Sequence, residues 1–399
     1  MTRLGWSERP IAALANFENG YPFKPHQLGD TGTPIVRIRQ LNDPAASFDH
    51  YDGDLEPKYQ ISDGDLIFSW SGSLSVGFWT RGNAFLNQHL FRVDPASGVD
   101  KRWLAYALTW SVARFEGFMH GSAMTHITKP MMKVVRAPVP PVDEQRAIAA
   151  YLDRETARID TLIMEQRRLI EMLLERRDST WDTDVDAASG AGVLLPVKRV
   201  ISSIVDGPFG SSLTSAHYTD EGARVIRLGN VGINEFKDHD SAFIPIEYAD
   251  ELEAHAVVAG DVVVAGLGDD RMPLGRAAVV PDLGAAIVKA DCYRLRPNDM
   301  VSPQYLAWVM SAPQTGSQIM LLARGATRAR LNTKVVQQVE IPIPDRAMQA
   351  EIVARSAAAI KKIDVLIAES ERFIELSRER RAALITAAVT GQIDVREVA

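Results

Sequence analysis

Two stretches of the chain place apolar or small residues at alternating intervals of four and three. The first is Ile148, Leu152, Glu155, Ile159, Leu162, Gln166, Leu169 and Leu173, with Ile163 and Ile170 beside the stripe. In the second, Ile352, Ser356, Ala359, Ile363, Leu366, Ser370, Phe373 and Ser377 take the equivalent positions, flanked by Ile367 and Ile374. A mean period of 3.5 residues is that of a coiled-coil seam, so two long helices are predicted. Each runs for roughly 36 residues, on the order of 50 Å. Leu152, Ile159, Leu162, Leu169, Leu173, Ile363, Leu366 and Phe373 are its expected spacer contacts. Small residues in one seam opposite large ones in the other suit pairing of the two helices. Asp143 and Asp345 follow prolines where an N-cap would help, and Gly391 lies beyond the second helix.

The helices belong to a longer repeat. Gln145 and Gln349, Asp160 and Asp364, and Arg176 and Arg380 all stand 204 residues apart. Upstream the register drifts: Gly64-Asp65-Leu66-Ile67 faces Gly260-Asp261-Val262-Val263 at 196, and Val36-Arg37-Ile38 faces Ile226-Arg227-Leu228 at 190. Constant spacing through the helices and drift elsewhere imply a fixed helical part and a variable globular part, each present twice. The globular part before each helix holds short apolar or β-branched runs punctuated by Gly and Pro, such as Pro34 to Ile38, Asp65 to Phe68, Asp261 to Val264 and Ala277 to Val280. Trp103 to Leu108 and Tyr305 to Met310 read as short buried helices. The predicted class is α+β, a pseudo-twofold tandem repeat. Two globular mixed α/β domains are separated by two long helices that pair as a coiled coil.

Composition narrows the class. The 399 residues are 46% hydrophobic and 24% charged, which describes a chain that folds, and the length asks for more than one domain. A single cysteine, Cys292, excludes an intramolecular disulfide and a multi-cysteine zinc site. With no secretory apolar core near Met1 and no run of about 18 apolar residues, a cytoplasmic protein is expected.

Signatures of catalysis are missing. There is no phosphate-binding loop ending in Gly-Lys-Ser/Thr, no His-Glu-x-x-His pair, no Asp/Asn-Pro-Pro-Tyr/Phe motif and no convincing Ser/His/Asp set. Gly266-Leu267-Gly268-Asp269-Asp270 lacks the third glycine of a dinucleotide loop and reads as a turn between strands. Asp182 to Asp186 opens like a calcium loop but has Ala187 and Val193 where Gly and Glu are needed, so it reads as a solvated linker. No metal site is expected.

Charge points elsewhere. The net charge is -7, yet Leu321 to Val339 carries Arg324, Arg328, Arg330 and Lys334 with no carboxylate, interleaved with Thr327 and Asn332. The matching stretch from Gly117 to Val142 carries Lys129, Lys133 and Arg136, again without a carboxylate. Arginine forks match guanine, amides match adenine, and lysines and hydroxyls hold phosphates. Further candidates for DNA contact are Arg37, Arg39, Gln40 and Asn42, with polar residues alternating at strand spacing, and their counterparts Arg227 and Asn230. Ser71 and Ser73 lie in a turn that corresponds to the one carrying Arg271. These turns differ strongly between the copies, as expected if each copy reads its own sequence.

Pro140-Pro141-Val142-Asp143-Glu144-Gln145, the helix core Ile159-Asp160-Thr161-Leu162-Ile163, the helix end Glu379-Arg380-Arg381 and the segment Leu384 to Val395 together resemble the specificity subunits of type I restriction-modification systems. The resemblance covers nearly the whole chain. It implies target-recognition domains at residues 1–142 and 196–344, conserved spacer helices at 143–180 and 345–386 that pair as an antiparallel coiled coil, a linker at 181–195 and a C-terminal tail at 387–399. It further implies that each recognition domain reads half of a bipartite double-stranded DNA target, that the chain is not itself an enzyme and binds no cofactor, and that its partners are modification and restriction subunits. S-adenosylmethionine would sit in the modification subunit and ATP with magnesium in the restriction subunit. Two departures stand out: Met348 replaces the expected Glu before Gln349, and Asp269-Asp270 puts carboxylates on a turn expected to face phosphate. The alternatives are a duplicated coiled-coil scaffold that binds protein and never DNA, and a combined methyltransferase or nuclease.

Overall fold

The computed structural model describes residues 5–117, 126–269, 272–323 and 330–396. It forms two compact units, Met1–Arg167 with Glu371–Ala399, and Arg168–Ser370. Within the first unit, Ala15–Asn19, Leu90–Pro95, Leu66–Ser69 and Val76–Phe78 form an antiparallel sheet in that spatial order. A second sheet runs Asp49–Tyr51, Thr33–Val36, Ala84–Leu86, Gln60–Ile61, with its central pair parallel. Ser7–Pro10 pairs with Arg136–Val139 and ties the ends of the domain together.

The second unit repeats this topology strand for strand. Its sheets order Ile201–Val205, Cys292–Pro297, Val262–Ala265, Ala277–Val279, and Phe243–Ile244, Ala223–Ile226, Ala286–Val288, Ala256–Val257. The central pair of the second sheet is again parallel, and Val193–Pro196 pairs with Glu340–Ile343. The duplication read from residue spacing is therefore a duplication of fold. Runs such as Val262–Ala265 are apolar at every position because both faces of the strand are covered. In each unit the first sheet packs on a helix: Lys101–Gly117, longer than the six-residue stretch expected, and Pro303–Met310. Trp103 and Trp308 are fully buried on these helices.

The long helices span Val142–Ala191 and Arg346–Val389. Asp345 caps the second, accepting from Met348 N at 2.8 Å, whereas Asp143 lies inside the first turn of the other helix. Gly391, at φ +72°, follows the last turn. The expected linker at 181–195 is corrected, since helix continues to Ala191. Trp181 stacks on Trp308 at 5.2 Å, Val185 and Ala188 are buried, and Asp184 ion-pairs with Arg355 at 2.7 Å. The dense carboxylates of Asp182 to Asp186 disguised a buried helix face as a solvated segment.

In each unit the two helices pair antiparallel. Asp160 meets Arg381 at 3.2 Å in the first, and Arg177 meets Asp364 at 3.7 Å in the second, ahead of the Asp184–Arg355 pair. The 3.5-residue period holds, but alternate seam positions move by one residue. Thr156, Ile163 and Ile170 turn inward in place of Glu155, Leu162 and Leu169, as do Ile367 and Ile374 in place of Leu366 and Phe373. Leu162, Leu169, Leu366 and Phe373 are 36 to 46% exposed, whereas Leu152, Ile159, Leu173 and Ile363 are buried as expected. The shift is the same in both copies. β-branched Ile at alternate seam positions packs the close helix pair, and Leu or Phe flanks it.

One buried side chain pins each helix to its domain. Gln145 Oε1 accepts from Asp100 N at 2.7 Å, and its amide donates to the carbonyls of Pro140 and Gly98. Gln349 repeats the arrangement, accepting from Ser302 N and donating to the carbonyls of Pro344 and Met300, each at 2.9 Å. Met348, replacing the expected Glu, packs against the core of the second unit.

Two stability measurements follow. In urea unfolding, Ile163→Ala costs about 2–4 kcal/mol and Leu162→Ala well under half of that, because only the first leaves a cavity; the reverse order would return the seam to Leu162. Gln349→Ala costs about 2 kcal/mol, since three backbone groups lose their partner away from water.

Candidate nucleic-acid interface

The residues singled out from sequence fall on three segments in each unit. Arg37, Arg39, Gln40 and Asn42 do not continue a strand, as their alternation implied. Ile38–Asn42 is a short helical turn with Arg37 at its N-cap. Gln40 explains the turn: its Oε1 accepts from Arg37 N at 3.1 Å and its amide donates to the Ser47 carbonyl. It is 2% exposed, so it shapes the turn rather than facing solvent. Asn230 is its counterpart at 1% exposure, accepting from Arg227 N and donating to the carbonyls of Lys237 and His239, all at 2.9 Å.

The arginines that open these turns are placed alike. Arg37 pairs with Asp49 at 3.0 Å and Arg227 with Asp240 at 2.6 Å, all four side chains partly exposed. Exposed pairs of this kind are worth at most about 1 kcal/mol. A phosphate can therefore replace the aspartate at little cost. Arg39 is exposed and bonds the Ser47 carbonyl and hydroxyl, and Asn42 is exposed.

The second segment is the loop after the inner strand, and the third is the basic stretch before the long helix. They meet in both units. Ile127 N donates to the Trp70 carbonyl at 2.7 Å and Ser71 bridges His126; Leu331 N donates to the Gly266 carbonyl at 2.9 Å and Leu267 bridges Arg330. Ser71 is buried, while Ser73 is exposed. Asn332 caps Thr333–Gln338 through Val335 N, and Lys334 is exposed one residue into that helix. Lys129 begins the equivalent helix Lys129–Val134. Arg271, Arg324, Thr327 and Arg328 lie outside the described residues. Asp269 accepts from Met272 N at 2.9 Å, which gives its carboxylate a role in forming the loop.

The helical turn and the loop also lie side by side. In the first unit a Cβ added at Gly72 would come within 3.7 Å of Ile38 Cδ1. In the second, Arg276, only 6% exposed, donates to the carbonyls of Leu228 and Val231 on the turn and of Leu267 and Pro273 on the loop. Burial pulls its pKa below the usual arginine value, and the four carbonyls hold the charge without a hydrogen-bonded carboxylate. Sequence reasoning missed this residue because a lone arginine between two glycine-rich turns has no spacing that marks it. It also missed Asp291, whose carboxylate takes both Nε and Nη2 of Arg330 at 2.7 Å.

Each unit thus gathers a turn, a loop and a basic segment on one scaffold, with backbone contacts shared and outward side chains different. Among the described residues, no group of three or more His, Cys, Asp or Glu is placed to hold a metal ion, and no helix is long and apolar enough to cross a membrane.

Comparison with known proteins agrees with this organisation. Residues 4–172 match the family model described as type I restriction modification DNA specificity domain. The EcoBI specificity subunit of Escherichia coli is 22% identical over 377 residues, covering 88% of this chain and 78% of that one. The MjaVIII specificity subunit of Methanocaldococcus jannaschii is 19% identical over 360 residues, covering 85% and 81%. Among solved structures, a chain from work on complex assembly and conformational transition of the type I R-M system superposes with a TM-score of 0.71 at 15% identity, covering 98% of this chain and all of the other. The HsdS subunit of Thermoanaerobacter tengcongensis shares the fold at a TM-score of 0.51 and 18% identity, with 98% of each chain covered. Residues 4–172 thus resemble a type I restriction modification DNA specificity domain, and most of the chain is similar to the specificity subunits of type I restriction-modification systems.

Proposed function

We propose that the chain is the non-catalytic, DNA-reading subunit of a type I restriction-modification complex, with each unit recognising one half of a bipartite duplex target. The observation that carries this reading is the convergence of the same three segments in both units, through the Ser71–His126 and Leu267–Arg330 bridges, on scaffolds whose exposed side chains differ. A repeat kept only for structure has no reason to diverge at its exposed turns while keeping its buried Gln40 and Asn230 hinges.

The side chains suit the task. Arg37 and Arg227 exchange a surface aspartate for a phosphate, Arg39, Asn42, Ser73 and Lys334 offer exposed donors, and Arg330 presents half of its side chain to solvent. Phosphate contacts set position and base-edge contacts set sequence. The paired helices hold the two readings at a fixed gap and offer docking surface to modification subunits. Those partners supply S-adenosylmethionine and the pocket for the flipped adenine, and restriction subunits supply ATP-driven cleavage.

Co-expression of the chain with its modification subunit, followed by genome-wide mapping of methylated adenines, tests this reading. The expected motif has two parts with a constant gap, and exchanging residues 196–344 for the domain of a relative changes one part only. A continuous motif, or methyl transfer by this chain alone, contradicts it. Arg37→Ala is expected to weaken binding across sequences and to lower the slope of log affinity against log salt by about one.

A further inference from the structure

We infer that Phe209 is a base-contacting, specificity-determining residue of the second unit, acting beside Arg330. Phe209 stands just before the single-turn helix Gly210–Ser212 and is 51% exposed. The Arg330 guanidinium lies 5.8 Å from the centre of its ring.

The segment that carries Phe209 is held from beneath. Asp206 Oδ1 accepts from Gly207 N at 2.7 Å and from Asp291 N at 3.2 Å, and the Asp206 carbonyl meets His255 Nδ1 at 2.6 Å. Gly207 has no room for a side chain, since a Cβ would come within 2.0 Å of the Lys289 carbonyl carbon. Gly210 turns the chain at φ +61°. Asp291, which accepts from Arg330, thus also donates its backbone N–H to the carboxylate at the root of the Phe209 segment. One turn fixes both outward side chains. A half-exposed aromatic on a fixed support gives up little conformational entropy on binding, which is the property of an interface anchor.

The chemistry of the pair selects the ligand. Arginine donates to guanine O6 and N7 in the major groove, and phenylalanine makes apolar contact with the thymine methyl. Their 5.8 Å separation falls between one and two base-pair rises of about 3.4 Å, so the two side chains address neighbouring base pairs. Phe209 supplies the apolar contact to a thymine next to the pair read by Arg330.

This inference rests on the DNA-reading role proposed above, and its test separates the two. Wild-type and Phe209→Ala chains are each co-expressed with the modification subunit, and methylated adenines are mapped. One base pair in the part of the motif assigned to residues 196–344 is expected to lose discrimination by about tenfold or more, with the other part and the melting temperature of the complex unchanged. Replacing thymine by deoxyuridine at that position in a purified duplex is expected to weaken wild-type binding and to leave the variant indifferent. An unchanged motif, a loss spread evenly over the motif, or equal sensitivity of both proteins to deoxyuridine overturns the Phe209 assignment. A wild-type complex whose motif has no second part refutes the DNA-reading role itself.

Discussion

A buried stripe with a period of 3.5 residues, running through both long helices, is the constraint on which the rest of the structure depends. Neither recognition fold is closed by its own segment alone. The core of the first unit includes Ile385, Ala388, Val389 and Val395 from the far end of the chain, packed with Ile148 and Leu152. The second takes Trp181, Val185 and Ala188 from the end of the first helix. Removing the pairing would expose apolar surface in each unit, so helix geometry and domain stability are linked. Gln145 and Gln349 extend that link by tying each helix start to the turn before its domain's packing helix.

On this fixed frame the recognition surfaces have room to differ. The hinge that sets the first turn is Gln40 in one unit and Asn230 in the other, each buried and each accepting from the backbone of an arginine three residues earlier. A buried arginine joins turn to loop in the second unit, whereas in the first the loop glycine Gly72 lies beside Ile38 of the turn. Different side chains thus produce one arrangement, because the strands and backbone bridges fix where the segments meet.

The periodic features were legible in the sequence. The helices, the duplication and the basic stretches followed from spacing and charge alone, whereas the antiparallel sense of the helix pairing came from the family resemblance. The seam was read one residue off at alternate positions because Leu162 and Ile163, or Leu366 and Ile367, are equally apolar, and only the packing decides which of the two turns inward. Helix beyond residue 180 was hidden by carboxylates, of which Asp184 is buried through its pair with Arg355. Gln40 and Asn230 were read as DNA contacts, but both are buried and spend their amides on the backbone of their own turns. Arg276, Asp291 and Phe209 carried no signal at all, since their importance comes from neighbours that are distant in the chain.

The proposed function requires that the paired helices set the distance between the two readings. Inserting seven residues, two helical turns that preserve the seam, near Gln166 and again near Ser370 tests it most directly. The addition lengthens each helix by about 10 Å. Methylation mapping of the complex should show both parts of the motif unchanged and the gap between them longer. Methylation at the original gap would contradict the account, because the helices would then not set the distance.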